Sequence, residues 1–331
     1  MTSVTVVVPA YNEGAAFACA LVRIADYYAM HERGGYHFRY LIVDDGSTDN
    51  TADVANKFAR WHKDVTVVRH AGNRGLGAAM RTAFEHVESE YAIVLDADLS
   101  YTPTTGMQLL EALERERADI ALASAYMRGG CVSNVPAARR ILSREANRFL
   151  ALAASGRYST FTCMVRAYRV SALARIRFSS DRMAAVPELL LCAIKQRMRI
   201  VEVPAALTWS DERRSGGGRL SIARAAAQTL QIVQLALRHR PSLWLAVPGL
   251  FPGLLPLVVA VLLLMHVSAA TLALATAVTV TVQYTSLALF AGQLGAFFAR
   301  TLSRRRPAPI QKKESANDYH SSQYDGTSAS V

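Results

Sequence analysis

Two carboxylates two residues apart, Asp96 and Asp98, follow directly on the apolar run Ile93-Val94-Leu95. That run reads as a buried strand, and Pro103 marks the turn into the next helix. Open α/β sheets bind ligands just beyond the carboxyl ends of their strands. Acids placed there suit a hard divalent cation such as Mg2+, which takes one or two carboxylates and fills its shell with water and phosphate oxygens. A solvated acidic turn shows the same short pattern, so the surrounding elements decide.

Those elements repeat one design. Val4 to Pro9 is a β-branched strand ended by proline, and the polar loop Ala10-Tyr11-Asn12-Glu13-Gly14 leads into a helix over 15–30. Tyr40 to Val43 is a second strand, with Asp44-Asp45-Gly46-Ser47-Thr48-Asp49 as its acidic loop. Val65 to Val68, the run before Asp96, and Ile120 to Ser124 give three more strands. Strands alternating with helical segments predict βαβ units and a mostly parallel, Rossmann-like sheet. Three loops then meet at one sheet edge, where carboxylates suit ribose hydroxyls and base N–H groups. The turn Gly72-Asn73-Arg74-Gly75-Leu76-Gly77 opens a helix. Its backbone N–H groups and Arg74 suit a diphosphate; alternatively, the glycines serve turn geometry alone.

Together these loops resemble the family 2 glycosyltransferases, which have the GT-A fold. The matching pieces are Val8-Pro9-Ala10-Tyr11-Asn12-Glu13, Val43 to Thr51, Asn73-Arg74-Gly75-Leu76-Gly77 and Asp96-Ala97-Asp98-Leu99, in the family's order. The resemblance implies a nucleotide-sugar donor held by Pro9, Tyr11, Glu13, Asp44, Asp45, Arg74 and Gly75. It also implies Mg2+ or Mn2+ on Asp96 and Asp98, neutralising the leaving nucleotide as a Lewis acid.

Residues 126 to 220 resemble the polyprenyl-phosphate branch of that family. Arg139-Arg140 with Ser143-Arg144 and Asn147, Arg166-Ala167-Tyr168-Arg169, Pro187-Glu188-Leu189, and Glu202-Val203-Pro204 followed by Arg213 carry the likeness. It implies that Arg140 and Arg213 hold a lipid phosphate, which guanidinium groups grip in bidentate fashion. An acceptor phosphate is already an anion, so no strong general base is required. The chain departs from the branch pattern at Ala123-Ser124-Ala125-Tyr126, where an Arg usually precedes the Tyr; Arg128 stands nearby as a substitute.

The chain of 331 residues carries a net charge of +11, which points to an anionic partner. From Pro241 to Ala299 there is no Asp, Glu, Lys or Arg. A membrane span needs roughly 20 apolar residues, so this run predicts two spans, 243–265 and 271–298, joined by a short turn. Before it, 221–240 reads as an amphipathic juxtamembrane helix with Arg224, Arg238 and Arg240. The excess cations cluster beside the spans and in the tail, which argues against nucleic-acid binding. Basic residues at both ends of the pair put both termini and the catalytic domain in the cytoplasm. The expected organisation is therefore a catalytic domain over 1–220, the interfacial helix, a transmembrane hairpin over 241–299 and a basic, disordered tail over 300–331. Cys19, Cys131, Cys163 and Cys192 show no metal-binding spacing and read as reduced thiols. The expected function is inverting transfer of a sugar onto a polyprenyl phosphate. Its rivals are transfer to another lipid or hydroxyl acceptor, and a non-catalytic nucleotide-sugar-binding homologue.

Overall fold

The computed structural model describes residues 1–154, 156–210, 231–232, 234–239 and 268–303. Its centre is a seven-stranded sheet. In chain order the strands and helices are β1 (Thr2–Ala10), α1 (Ala16–Ala29), β2 (Tyr36–Asp44), α2 (Thr51–Trp61), β3 (Val65–Arg69), α3 (Leu76–His86), β4 (Tyr91–Val94), α4 (Pro103–Arg115) and β5 (Ile120–Ser124). Then come β6 (Cys131–Ser133), α5 (Ala137–Ala153), β7 (Arg166–Arg169), the one-turn α6 (Val170–Leu173), α7 (Ala185–Lys195), β8 (Ile200–Pro204) and β9 (Ala206–Thr208). Residues 231–232 and 234–239 are helical. A helix of 35 residues, α8 (Ala269–Ser303), makes contact with α5.

The sheet order is β3-β2-β1-β4-β7-β5-β8, and β6 and β9 pair apart from it. The pairings are parallel except at β7, which runs antiparallel to both β4 and β5. Burial on both faces explains why β1 is apolar from Val4 to Val8 except at the buried Thr5: Val4, Val6 and Val8 face α1 and α4, while Val7 faces α3 and α7. A strand covered on both faces loses the apolar–polar alternation of a half-exposed one. The five strands expected from sequence all form. β7 was not foreseen as a strand, and it divides the parallel sheet.

Among the described residues no helix is long and apolar enough to cross a membrane. The first expected span, 243–265, lies outside those residues, and the second, 271–298, falls within α8. Most of the expected juxtamembrane helix, the tail beyond 303, and Arg213 also lie outside them. The four cysteines are free.

Candidate active site

The carboxyl ends of β1, β2, β4 and β5 open into one cavity of about 510 Å³, within the usual range for a small-molecule site. The first two loops are stitched together there. Ser47 Oγ accepts the N–H of Asn12 at 3.0 Å, Asn12 Oδ1 accepts that of Thr48 at 2.9 Å, and Thr51 Oγ1 accepts that of Glu13 at 2.9 Å. Asp49 accepts the N–H groups of Gly14 and Thr51. These bonds fix the backbone that carries Pro9, Tyr11 and Glu13 into the cavity wall.

Asp44 and Asp45 are neighbours at the end of a strand, so their side chains leave on opposite sides. Asp45 lines the cavity. It accepts His70 Nδ1 at 2.7 Å, the N–H of Arg74 at 3.0 Å and that of Gly75 at 2.6 Å. His70 Nε2 in turn meets the Thr82 hydroxyl at 2.9 Å. Asp44 is 0% exposed and lies behind the lining. Its Oδ1 accepts the Ser47 N–H, and Arg69 Nε stands 3.0 Å from its Oδ2.

The glycine turn differs from the phosphate-cradle expectation. The N–H groups of Arg74 and Gly75 go to Asp45, and those of Gly77 and Ala78 go to the carbonyl of Asp181, at 2.6 and 3.3 Å. Gly75 has φ +98°, a conformation that favours glycine. A Cβ on Gly77 would overlap the Ser180 carbonyl and lie 2.6 Å from Ala185 Cβ. The turn is built to receive the 180–182 segment. Gly75 lines the cavity and Arg74 does not.

Asp96 and Asp98 both line the cavity, Asp96 half-buried and Asp98 exposed. Asp98 Oδ1 accepts the N–H and hydroxyl of Ser100 at 2.9 and 2.7 Å. This local turn holds the carboxylate at the rim. No group of three or more acidic, His or Cys side chains that could hold a metal occurs among the described residues. A protein-only cage is thus absent from them, but two carboxylates beside open volume fit an octahedral cation that draws its other ligands from water and phosphate. Charge agrees: Glu13, Asp45, Asp96 and Asp98 line the cavity against a single guanidinium, Arg182, among the described residues. A diphosphate needs more positive charge than that.

The opposite wall was less legible from sequence. It comprises Ala125, Tyr126, Ser143 of α5, Thr160, Thr162, Cys163, Leu207 and Trp209. β9 is tied to the acidic turn by the Thr208 N–H on the Ser100 carbonyl at 3.0 Å, and the Arg139 guanidinium lies 5.2 Å from the Trp209 ring centre. Arg140 is exposed on the first turn of α5, outside the lining, and Arg128 is also exposed. Burial first, and the Asp96 charge second, push the Cys163 thiol up to about 12. Behind this wall Glu202 Oε1 accepts Ser124 Oγ and the N–H groups of Ser159 and Thr160 at 2.7–3.0 Å. Among the described residues Glu188 receives no ion pair; it takes the N–H groups of Ser179 and Ser180 at 3.0 and 2.9 Å.

Residues 5–177 match the model of glycosyl transferase family 2. The chain belongs to this family. It is a glycosyltransferase of GT-A-like α/β fold. It is 31% identical over 242 residues to a polyprenol monophosphomannose synthase of Mycolicibacterium smegmatis, covering 71% of this chain and 87% of that one. To a dolichyl-phosphate beta-glucosyltransferase of Trichomonas vaginalis it is 26% identical, covering 72% of each. The glucosyl-3-phosphoglycerate synthase of Mycobacterium tuberculosis, crystallised with Mg2+ and UDP, has the same fold. It superposes with a TM-score of 0.52 at 18% identity, over 72% of this chain and 79% of that one.

Proposed function

We propose that this glycosyltransferase is anchored in a membrane and moves a sugar, with inversion, from a nucleotide-sugar donor to a polyprenyl phosphate at the cytosolic leaflet. One observation carries the reading: the Asp96–Asp98 turn and the α5 wall face the same cavity, in a chain similar to polyprenol and dolichyl-phosphate transferases. Asp96 and Asp98 hold Mg2+ or Mn2+, with Pro9, Tyr11, Glu13, Asp45 and Gly75 around the nucleotide. The bound cation supplies charge neutralisation on the diphosphate. Asp44 supports the nucleotide side from behind by fixing the 44–47 turn. Arg140, exposed on the first turn of α5, holds the acceptor phosphate, and Arg213, outside the described residues, is assigned the same role by the family resemblance. Arg139, over Trp209, suits the same role and was not singled out from sequence for this task.

The lining supports an acceptor that needs no deprotonation. In this reading Asp96 and Asp98 are committed to the metal, Asp45 already accepts from His70 and from the N–H groups of Arg74 and Gly75, and the one thiol of the lining is held protonated. An anionic phosphate oxygen is a nucleophile as it stands. Membrane anchoring is supported by the uncharged run 241–299. It is supported too by Leu274, Val278 and Val282, exposed four residues apart along one stripe of α8.

The test is transfer of label from radioactive nucleotide sugars into the lipid phase by membranes carrying the protein, with undecaprenyl or dolichyl phosphate added. Mg2+-dependent product that is lost in Asp98→Ala supports the reading. Label passing only to lipids that lack phosphate would overturn the acceptor, and full activity in Asp98→Ala would overturn the metal site.

A further inference from the structure

Arg182 is the one guanidinium that lines the cavity among the described residues, and no family motif marks it. Its placement is built rather than incidental. The preceding residues are pinned at three points. Glu188 takes the N–H groups of Ser179 and Ser180, the Asp181 carbonyl takes those of Gly77 and Ala78, and Arg81 of α3 bonds both the Ser180 carbonyl and the Asp181 carboxylate. The two glycines make the seat. A Cβ on Gly75 would lie 3.2 Å from Arg182 Cγ and overlap the Asp181 carbonyl.

Two consequences follow for charge. Asp181, the acid next to Arg182, is engaged by Arg81. No ion pair or hydrogen bond holds the Arg182 guanidinium among the described residues. The side chain also stands on the nucleotide side of the cavity: its stem adjoins Gly75, whose N–H is on Asp45. The helix end expected to cradle phosphate is closed by a carbonyl, and the same segment that closes it delivers a cation.

We infer that Arg182 is a donor-binding residue whose guanidinium takes phosphate oxygens of the nucleoside diphosphate, replacing the backbone cradle. The inference rests on the nucleotide-sugar reading above. Guanidinium–phosphate bonds are charge-assisted and bidentate, and losing one weakens binding by about tenfold to a hundredfold.

The experiment is calorimetric titration of the full-length protein in detergent, in Mg2+, with UDP and GDP and with uridine and guanosine. Wild type, Arg182→Met and Arg182→Lys are compared at matched thermal stability. The expected result is loss of about tenfold or more for the preferred diphosphate in Arg182→Met, with partial recovery in Arg182→Lys. Affinity for the matching nucleoside stays unchanged. Diphosphate affinity equal to wild type, or an equal loss for nucleoside and diphosphate, overturns the assignment. Absence of UDP and GDP binding in the wild type instead sinks the nucleotide-sugar reading itself.

Discussion

The N–H of Gly77 donates to the carbonyl of Asp181 at 2.6 Å, across more than a hundred residues of chain. The first turn of α3 therefore ends on protein. Its small residues exist to let a distant segment approach.

Gly77→Ala sets two effects against each other. Alanine in a helix gains up to about 1 kcal/mol over glycine. Against this, the new Cβ overlaps the Ser180 carbonyl and Ala185, and overpacking costs about 1–3 kcal/mol. The expected outcome is net destabilisation of about 1 kcal/mol, with weaker nucleotide binding because the 180–182 segment moves. Gly72→Ala is the control, since nothing lies within 4 Å of a Cβ there, and its melting temperature stays near wild type. Chemical denaturation of both variants decides the matter.

The βαβ rhythm was legible because strands buried on both faces appear as apolar runs: Val4 to Val8, Leu41 to Val43, Ile93 to Leu95. β7 was not. Arg166 opens it, is 0% exposed, and donates from its two terminal nitrogens to the carbonyls of Phe161 and Val186 at 2.9 and 3.0 Å; nothing local announces that a buried charged side chain will be held by carbonyls from two other segments. The Asp44-Asp45 pair held a usable signal, since strand geometry allows only one of two adjacent residues to face a ligand. Which one was decided by Arg69 and His70, on the next strand and just beyond it. The purpose of the glycine turn, and with it Arg182, depends on contacts between α3 and the start of α7, which no window along the chain contains.

Glu188 gives a pH signature. Burial pushes its carboxyl up, but hydrogen bonds from Ser180 and Ser179 outweigh that and hold it below its ordinary 4.5. A lowered folded value means the stabilisation is complete above 4.5 and is lost as pH falls through the folded value. Glu188→Gln should therefore be less stable than wild type at pH 7, by about 1 kcal/mol after allowing for partial exposure. The gap should narrow under acid, and melting curves at pH 7 and pH 3.5 read it. A gap that widens on acidification would contradict the hydrogen-bond account.

Cys163 tests the wall beside Asp96. A thiol pushed up to about 12 holds almost no thiolate at pH 8, and it is buried besides. Iodoacetamide should label Cys19 and Cys131, both exposed, in the folded protein, and reach Cys163 only on unfolding. Peptide mass spectrometry over a time course reads the order. Rapid modification of Cys163 in the native state would mean that this wall opens.

Asn147, 1% exposed, uses its whole hydrogen-bonding capacity to join α5 to the cavity loop. Oδ1 accepts the N–H groups of Phe161 and Thr162 at 2.6 and 3.2 Å, and Nδ2 donates to the Ser143 carbonyl and Thr162 Oγ1 at 2.8 and 2.9 Å. Asn147→Ala strands those two N–H groups in a buried place, at a cost of about 2–4 kcal/mol. Asn147→Asp is the sharper probe, because it keeps the acceptor and puts a second oxygen against the Ser143 carbonyl. That carboxyl favours its protonated, donating form, so its folded value rises above the unfolded one. The variant should then recover stability relative to wild type as pH falls from 7 to 5. Ser143 and Thr162 both line the cavity, so the same variant should raise KM for the acceptor more than for the donor. A flat stability difference between pH 7 and 5, with unaltered acceptor KM, would show that Asn147 does not set this wall.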